Sequence, residues 1–242
     1  MRGILPRVCL SSQQEPHWLW DSCVVSVIGF LHTAESHVET FGALVEDVDA
    51  TRGHVHAVRP DLLDQARLHG TDDQSLSDQL SAAISDLTDR EASVVICTCS
   101  TLGGVAERCA AGGGVNVLRV DRPMAEIAVR SGSQIGVVAA LESTLAPTRA
   151  LLEEVASQAG REIALVDAPC FGVWSLFERG DIAGYFRGVA EAADRLDPTI
   201  EVVVLAQASM APAAPLIQSG RMVLSSPRSA VQAAVRLVAA RT

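Results

Sequence analysis

The chain has 242 residues and a net charge of −10, with 48% hydrophobic and 20% charged residues. That balance fits a globular protein with a substantial core, and an acidic chain without a basic run argues against nucleic acid as a partner. No apolar stretch approaches the length of a membrane span, and Pro6 and Arg7 break the apolar start before a signal-peptide core forms, so a cytoplasmic protein with no membrane partner is expected.

Two absences narrow the chemistry. All nineteen basic residues are Arg, so a pyridoxal-phosphate internal aldimine and a Walker A phosphate loop both lack their Lys. The six cysteines show no paired metal-type spacing beyond Cys97-x-Cys99, and in a reducing compartment they are expected as free thiols. No metal site and no cofactor are assigned.

Residues 1–23 have turn formers and no apolar period, and read as an extension outside the fold. From Cys23 the pattern is regular. Val24 to Leu31 reads as a strand ending in His32-Thr33, and Glu35 to Val48 as an amphipathic helix. His54 to Val58 is a second strand; its two imidazoles share a face but have no third ligand nearby. Helices follow at Pro60 to His69 and Gln74 to Leu87, then a strand at 93–98 with a helix over Val105 to Ala111. Gly112-Gly113-Gly114 precedes a strand, Val115 to Val120, and so is no dinucleotide fingerprint. After a helix opened by Pro123 come a strand at Gln134 to Ala139, a helix at Ala146 to Ala159 and a strand at Glu162 to Val166. A long loop beginning Asp167-Ala168-Pro169-Cys170 follows. Asp181 to Leu196 is a helix, Glu201 to Leu205 a strand, Met222 to Leu224 a last strand and Pro227 to Ala240 a closing helix. Strands alternating with helices throughout predict a parallel α/β architecture.

The stretch most charged with chemistry is Val94 to Gly104, where a β-branched run ends in Cys97-Thr98-Cys99-Ser100-Thr101 just before a helix. Ligands of open α/β sheets bind beyond the carboxyl ends of the strands. A helix N-terminus there favours anionic ligands and the thiolate form of a nearby Cys. Thr33, Ser143 and Thr144 also fall just past strand ends, where hydroxyls serve as donors or as turn and cap groups.

Taken together, several stretches resemble the aspartate/glutamate/hydantoin racemase superfamily. They are His32-Thr33, Cys99-Ser100-Thr101, V-L-R-V-D-R-P-M-A at 117–125, I-G-V-V-A-A-L-E-S-T-L-A-P-T at 135–148 and V-V-V-L-A-Q-A-S-M-A at 202–211. The resemblance covers about residue 24 to the C-terminus. It implies two Rossmann- or flavodoxin-like parallel-sheet lobes facing each other across a cleft, with the last strand and helix returning to the first lobe. The expected division is 24–118 plus 219–242 for the first lobe and 119–218 for the second.

It also implies a racemase- or isomerase-type enzyme that uses no cofactor and acts at the α-carbon of a small carboxylate or amino acid. In that scheme one Cys from each lobe works on opposite faces of the substrate. Cys99 matches the first thiol, while Ser100 and Thr101 stand where the family holds the substrate carboxylate. Gln207 falls where the second Cys is expected, in Leu205-Ala206-Gln207-Ala208-Ser209-Met210 in place of L-G-C-T or L-G-C-A-G-M. An amide cannot accept and return a proton, so symmetric two-thiol chemistry is in question. His32, Thr33, Ser143, Thr144, Gln207 and Ser209 complete the expected substrate-binding set. Alternatives are a decarboxylase of the same superfamily and a non-catalytic carboxylate-binding protein, and a homodimer or higher homo-oligomer is expected.

Overall fold

The computed structural model describes residues 26–111 and 114–240. The expected extension at 1–23, and most of the glycine triplet, lie outside the described residues.

The first half forms β1 (Val27–His32), α1 (Ser36–Asp49), β2 (Gly53–Val58), α2 (Pro60–His69), α3 (Gln74–Asp89), β3 (Ala92–Cys97), α4 (Ser100–Ala110) and β4 (Asn116–Arg119). The second half forms α5 (Arg122–Ser131), β5 (Gln134–Ala139), α6 (Glu142–Gln158), β6 (Ala164–Pro169), α7 (Trp174–Glu178), α8 (Ile182–Asp194), β7 (Val202–Leu205), β8 (Met222–Ser225) and α9 (Ser226–Ala239). Two four-stranded sheets result, ordered β2-β1-β3-β4 and β6-β5-β7-β8, with every pair parallel. The fold is α/β, as the alternation of strands and helices predicts, and two-lobed, as the family resemblance implies.

The central strands are apolar on both faces because helices cover both. Ile28, Phe30, Val94 and Ile96 pack under α1 and α9, while Leu31, Val95 and Cys97 pack under α2, α3 and α4. In the second sheet Ile135, Val137 and Val204 face α5 and α6, and Val138, Val203 and Leu205 face α8. Each fully buried side chain of this kind contributes roughly 1.5–3 kcal/mol relative to exposure.

The two sheets repeat one pattern. Thr98 N–H donates to Leu31 O at 2.9 Å, and Ala206 N–H donates to Val138 O at 3.0 Å. Arg59 N–H donates to His32 O, and Cys170 N–H donates to Ala139 O, both at 2.8 Å. The third strand of each sheet, β3 or β7, is followed two residues later by the cap of the next helical segment. That cap is Cys99 in one lobe and Gln207 in the other.

The expected return of the last strand to the first lobe is corrected. Met222 to Leu224 pair with Val202 to Val204 in the second sheet, and only α9 crosses to the first lobe, where Ala230, Val231, Ala234 and Val238 cover Ile28 and Ile96. The 3-10 segment Ala208–Leu216 packs on α8, and the turn at Gly220 (φ +69°) brings the chain back to the start of β7. A short crossover from there leaves the next strand beside β7. Two helices also start earlier than expected, at Ser100 and Glu142, and the loop after Cys170 holds a 3-10 turn and α7.

A buried ion pair locks the seam between the lobes. Arg119 Nε and Nη2 donate to the two carboxylate oxygens of Asp121 at 2.6 and 2.9 Å, with Asp121 fully buried and Arg119 6% exposed. The same guanidinium reaches Ser100 O in lobe one and Pro147 O in lobe two. Gly103 makes room for it, since a methyl group there would lie 2.5 Å from Arg119 Cβ. Removing one partner of a buried pair costs about 3–5 kcal/mol, whereas replacing both with apolar groups can be neutral. Asp121→Asn should therefore lower the urea-unfolding free energy by about 3 kcal/mol or more, and the double variant Arg119→Met/Asp121→Leu should lose clearly less. Equal losses in the two would contradict this account.

Candidate functional site

A cavity of about 220 Å³ lies between the lobes at the carboxyl ends of β1, β3, β5 and β7. Thr33, Thr98, Cys99, Ser100 and Thr101 line it from the first lobe, and Leu141, Ser143, Thr144, Gln207 and Ser209 from the second. Eight of the nine residues singled out from the sequence meet here; the ninth, His32, does not. A larger, mostly apolar cavity of about 660 Å³ adjoins it and shares His37, Ala208 and Ser209.

Cys99 caps α4 with extended backbone, its carbonyl accepts from Leu102 and Gly103 N–H, and it is 9% exposed, on the cavity side. The remaining thiols differ. Cys97 is fully buried, and desolvation with the nearby Cys99 pushes it well above the ordinary thiol range. Cys170 packs among Val138 and Tyr185, donates to Ala139 O and is pushed up to about 11 by burial. It does not border the cavity, so it is no second thiol. Cys109, half-buried on α4, faces Ser77 O.

The hydroxyls are used differently from the expectation that they hold a carboxylate. Ser100 Oγ donates to Ala206 O, Thr101 Oγ1 to Ser143 O, and Thr144 Oγ1 to Leu141 O. Pro147 explains the second bond: it has no N–H to return to Ser143 O four residues back, and Thr101 takes that acceptor across the seam. Each of these hydroxyls spends its one proton on a carbonyl. The donors left for an anion are the first two N–H groups of each helix, Ser100 and Thr101 in α4 and Glu142 and Ser143 in α6. Leu102 and Thr144 N–H already bond to the Cys99 and Leu141 carbonyls.

Gln207 completes the second wall. Its Oε1 accepts from Ala140 N–H at 2.7 Å, which leaves its amide N–H groups as donors at the cavity. Ser209 Oγ meets Tyr185 OH at 2.9 Å, and burial raises that phenol to about 12. A phenol that stays protonated is no base for the serine, so Ser209 is no proton carrier.

Sequence reasoning missed Arg67, Leu63, His37 and Trp174. Arg67, from the last turn of α2, is the one Arg among the residues lining the cavity, and its side chain is 48% exposed beside Asp64 at 3.5 Å. Nothing in the local pattern marks it, because helix α2 is carried to the rim by the pairing of β2 with β1.

His32 lies behind Thr98 and is fully buried. Its Nδ1 is 2.8 Å from Thr98 Oγ1 and its Nε2 2.8 Å from His56 Nδ1, so it does not touch the cavity. Among the described residues no cluster of three or more His, Cys, Asp or Glu is placed to hold a metal. No helix among them is long and apolar enough to cross a membrane.

No protein-family description and no curated protein sequence matches the chain. Solved structures do match. An aspartate racemase from Picrophilus torridus aligns with a TM-score of 0.67 at 12% identity, over 88% of this chain and 94% of its own. A glutamate racemase from Francisella tularensis, solved with D-glutamate, aligns at 0.66 and 14% identity over 90% and 82%. A mutant arylmalonate decarboxylase in a sulfate-associated form aligns at 0.57 and 15% identity over 89% and 94%. The chain has the racemase-superfamily fold. At these identities the likeness carries the fold, and the chemistry rests on the cavity itself.

The buried imidazoles give a pH signature. Desolvation, with the neighbouring His56 and His37, holds His32 down at about 3, and burial with His54 and Arg90 holds His56 at about 4. The unfolded chain binds protons at these sites below pH 6.5 and the folded chain does not, so stability is full above 6.5 and falls as pH drops towards 4. The lowered carboxylates Asp49, Asp61, Asp197 and Glu201 act below their ordinary values near 4, outside most of that window. His32→Asn, whose amide can still meet Thr98, should flatten the stability slope between pH 6.5 and 4.5 by about 1 kcal/mol per pH unit. An unchanged slope in denaturant titrations would refute the assignment.

Proposed function

We propose that the protein is a cofactor-independent enzyme built on the racemase pattern that removes and returns a proton on one face of the α-carbon of a small carboxylate, with Cys99 as its single acid/base. The observation that carries this reading is the pairing of Cys99 with Gln207 at equivalent positions of two repeated lobes, across one cavity. A thiol can take and return a proton; an amide can donate and accept hydrogen bonds but cannot carry the proton.

The geometry supports a division of labour. The substrate carboxylate sits among the first-turn N–H groups of α4 and α6 and the Gln207 amide. Cys99 Sγ, as thiolate, takes the α-proton, and the electron pair moves onto the carboxylate as an ene-diolate. Preorganised N–H donors stabilise that growing charge without rearranging. The proton returns from Cys99 to the same face. Arg67 at the rim suits a second carboxylate, which makes small dicarboxylates and acidic amino acids the preferred class.

Such a site exchanges the α-proton with solvent while keeping configuration. In deuterated water the wild type should wash deuterium into the α-position of a bound dicarboxylate or acidic amino acid, read by proton NMR. Cys99→Ser should slow this by about 10²- to 10⁴-fold with the fold intact. Gln207→Cys should add inversion by placing a thiol on the other face. Arg67→Gln should weaken dicarboxylate binding about tenfold, roughly 1.4 kcal/mol, and leave a monocarboxylate unaffected. In the wild type iodoacetamide should label Cys99 well before Cys97, and a dicarboxylate should protect it. No exchange with any carboxylate, together with an unprotected Cys99, would overturn the enzyme reading.

A further inference from the structure

Behind the cavity wall runs a chain of side chains that the proposed chemistry does not use directly. His54 Nδ1 is 2.8 Å from His56 Nε2, His56 Nδ1 is 2.8 Å from His32 Nε2, and His32 Nδ1 is 2.8 Å from Thr98 Oγ1. The chain starts at half-buried His54 and ends at Thr98, which lines the cavity next to Cys99. We infer that His54, His56, His32 and Thr98 form a proton relay that connects solvent to the reactive cavity from behind. This rests on the proton-transfer reading of the cavity given above.

The end-to-end order is what makes the arrangement a relay. A neutral imidazole has one N–H and one bare nitrogen at opposite edges of its ring, and the two roles interchange by a tautomer shift. With Thr98 donating to Leu31 O at 3.2 Å, His32 must donate through Nδ1, and so must His56 and His54 in turn. His54 Nε2 is then the bare outer end. A proton taken up there moves each N–H···N bond along by one link. Thr98 turns its O–H from Leu31 O to the cavity and releases that proton there as His32 Nδ1 passes its own to Thr98 Oγ1. One proton enters and one leaves; no heavy-atom bond changes and no charge is stored.

The surroundings hold the rings in line and dry. Phe30 stacks on His32 and His56 with ring centroids 5.7 and 5.0 Å apart, and Phe41 flanks His32. Gly42 lets α1 close over His54, since a methyl group at that position would sit 3.3 Å from the ring. Burial keeps His32 and His56 neutral at ordinary pH, the state in which a tautomer shift is available. A substrate that fills a cavity of about 220 Å³ displaces its water, and Gln207 supplies no proton, so a route through the wall renews the one at Cys99.

The test separates relay from scaffold with His56→Gln, which keeps a hydrogen-bonding side chain between the two imidazoles but cannot interchange donor and acceptor. The first readout needs no substrate: nitrogen-15 NMR of histidine-labelled full-length protein at pH 7. The relay keeps the N–H of His32 on Nδ1 at rest and requires transient passage to the Nε2–H tautomer. Relaxation dispersion at both His32 ring nitrogens is therefore expected in the wild type, and its loss in His56→Gln. The second readout is deuterium wash-in to a dicarboxylate, expected to fall at least tenfold in His56→Gln with unchanged binding affinity. No tautomer exchange at the His32 ring nitrogens in the wild type, or wash-in at the wild-type rate in His56→Gln, would overturn the relay. Should the wild type exchange no carboxylate at all, the enzyme reading fails by itself, and the NMR comparison still decides whether protons move along the chain. If His56→Gln fails to fold, His54→Asn at the half-buried end is read by the same two measurements.

Discussion

The bidentate pair between Arg119 and Asp121 is the contact on which the site depends. Its guanidinium is shared among Asp121 at the start of α5, the Ser100 carbonyl at the start of α4 and the Pro147 carbonyl in α6. The starts of α4 and α6 border the cavity from different lobes, and the guanidinium bonds to one at its first residue and to the other just past its first turn. A charge taken out of water must keep its partner, so the pair holds both starts at one separation. The Ser100 and Thr101 hydroxyls add bonds across the same seam. These polar contacts act at the cavity itself, while α9 and Ala208 carry apolar packing from the second half of the chain onto the first sheet.

Within that frame the proposed chemistry requires the site to stabilise negative charge against an unfavourable background. The protein as a whole carries a net charge of −10, which repels anions at long range. Close to the cavity the balance reverses, because first-turn N–H groups and an amide act at hydrogen-bond distance in a partly desolvated space. The arrangement is lopsided: a thiol on one wall faces an amide on the other, although the two strands that carry them are equivalent. Repetition of the fold with divergence of the chemistry is what a site grafted on a scaffold produces.

The histidines behind the wall illustrate how one strand pairing creates a network. Parallel register places Phe30 opposite His56 and Ile28 opposite His54, so the imidazoles of β2 lie alongside His32 on β1. None of the three has a charged partner. Burial keeps His32 and His56 neutral, and they satisfy both ring nitrogens by bonding to each other, to His54 and to Thr98.

Much of this was legible in the sequence, and the boundary is physical. Apolar period and turn residues are local signals, and they determined the alternation of strands and helices, the parallel α/β class and the position of Cys99 at a strand-to-helix junction. The two lobes were implied by the family resemblance. The loss of a second thiol at Gln207 was visible too, as a departure from a resembling pattern. Tertiary structure alone decided where β8 pairs, because a strand's partner depends on the crossover that precedes it. It alone showed that the Ser100, Thr101 and Thr144 hydroxyls are spent on carbonyls, since their acceptors lie across a turn or across the seam. His32 and Arg67 make the same point in opposite directions: one expected at the cavity lies behind it, and one unmarked in its helix stands at the rim. Period and propensity report on neighbours along the chain, whereas a site is made by residues that meet only when two sheets have formed and docked.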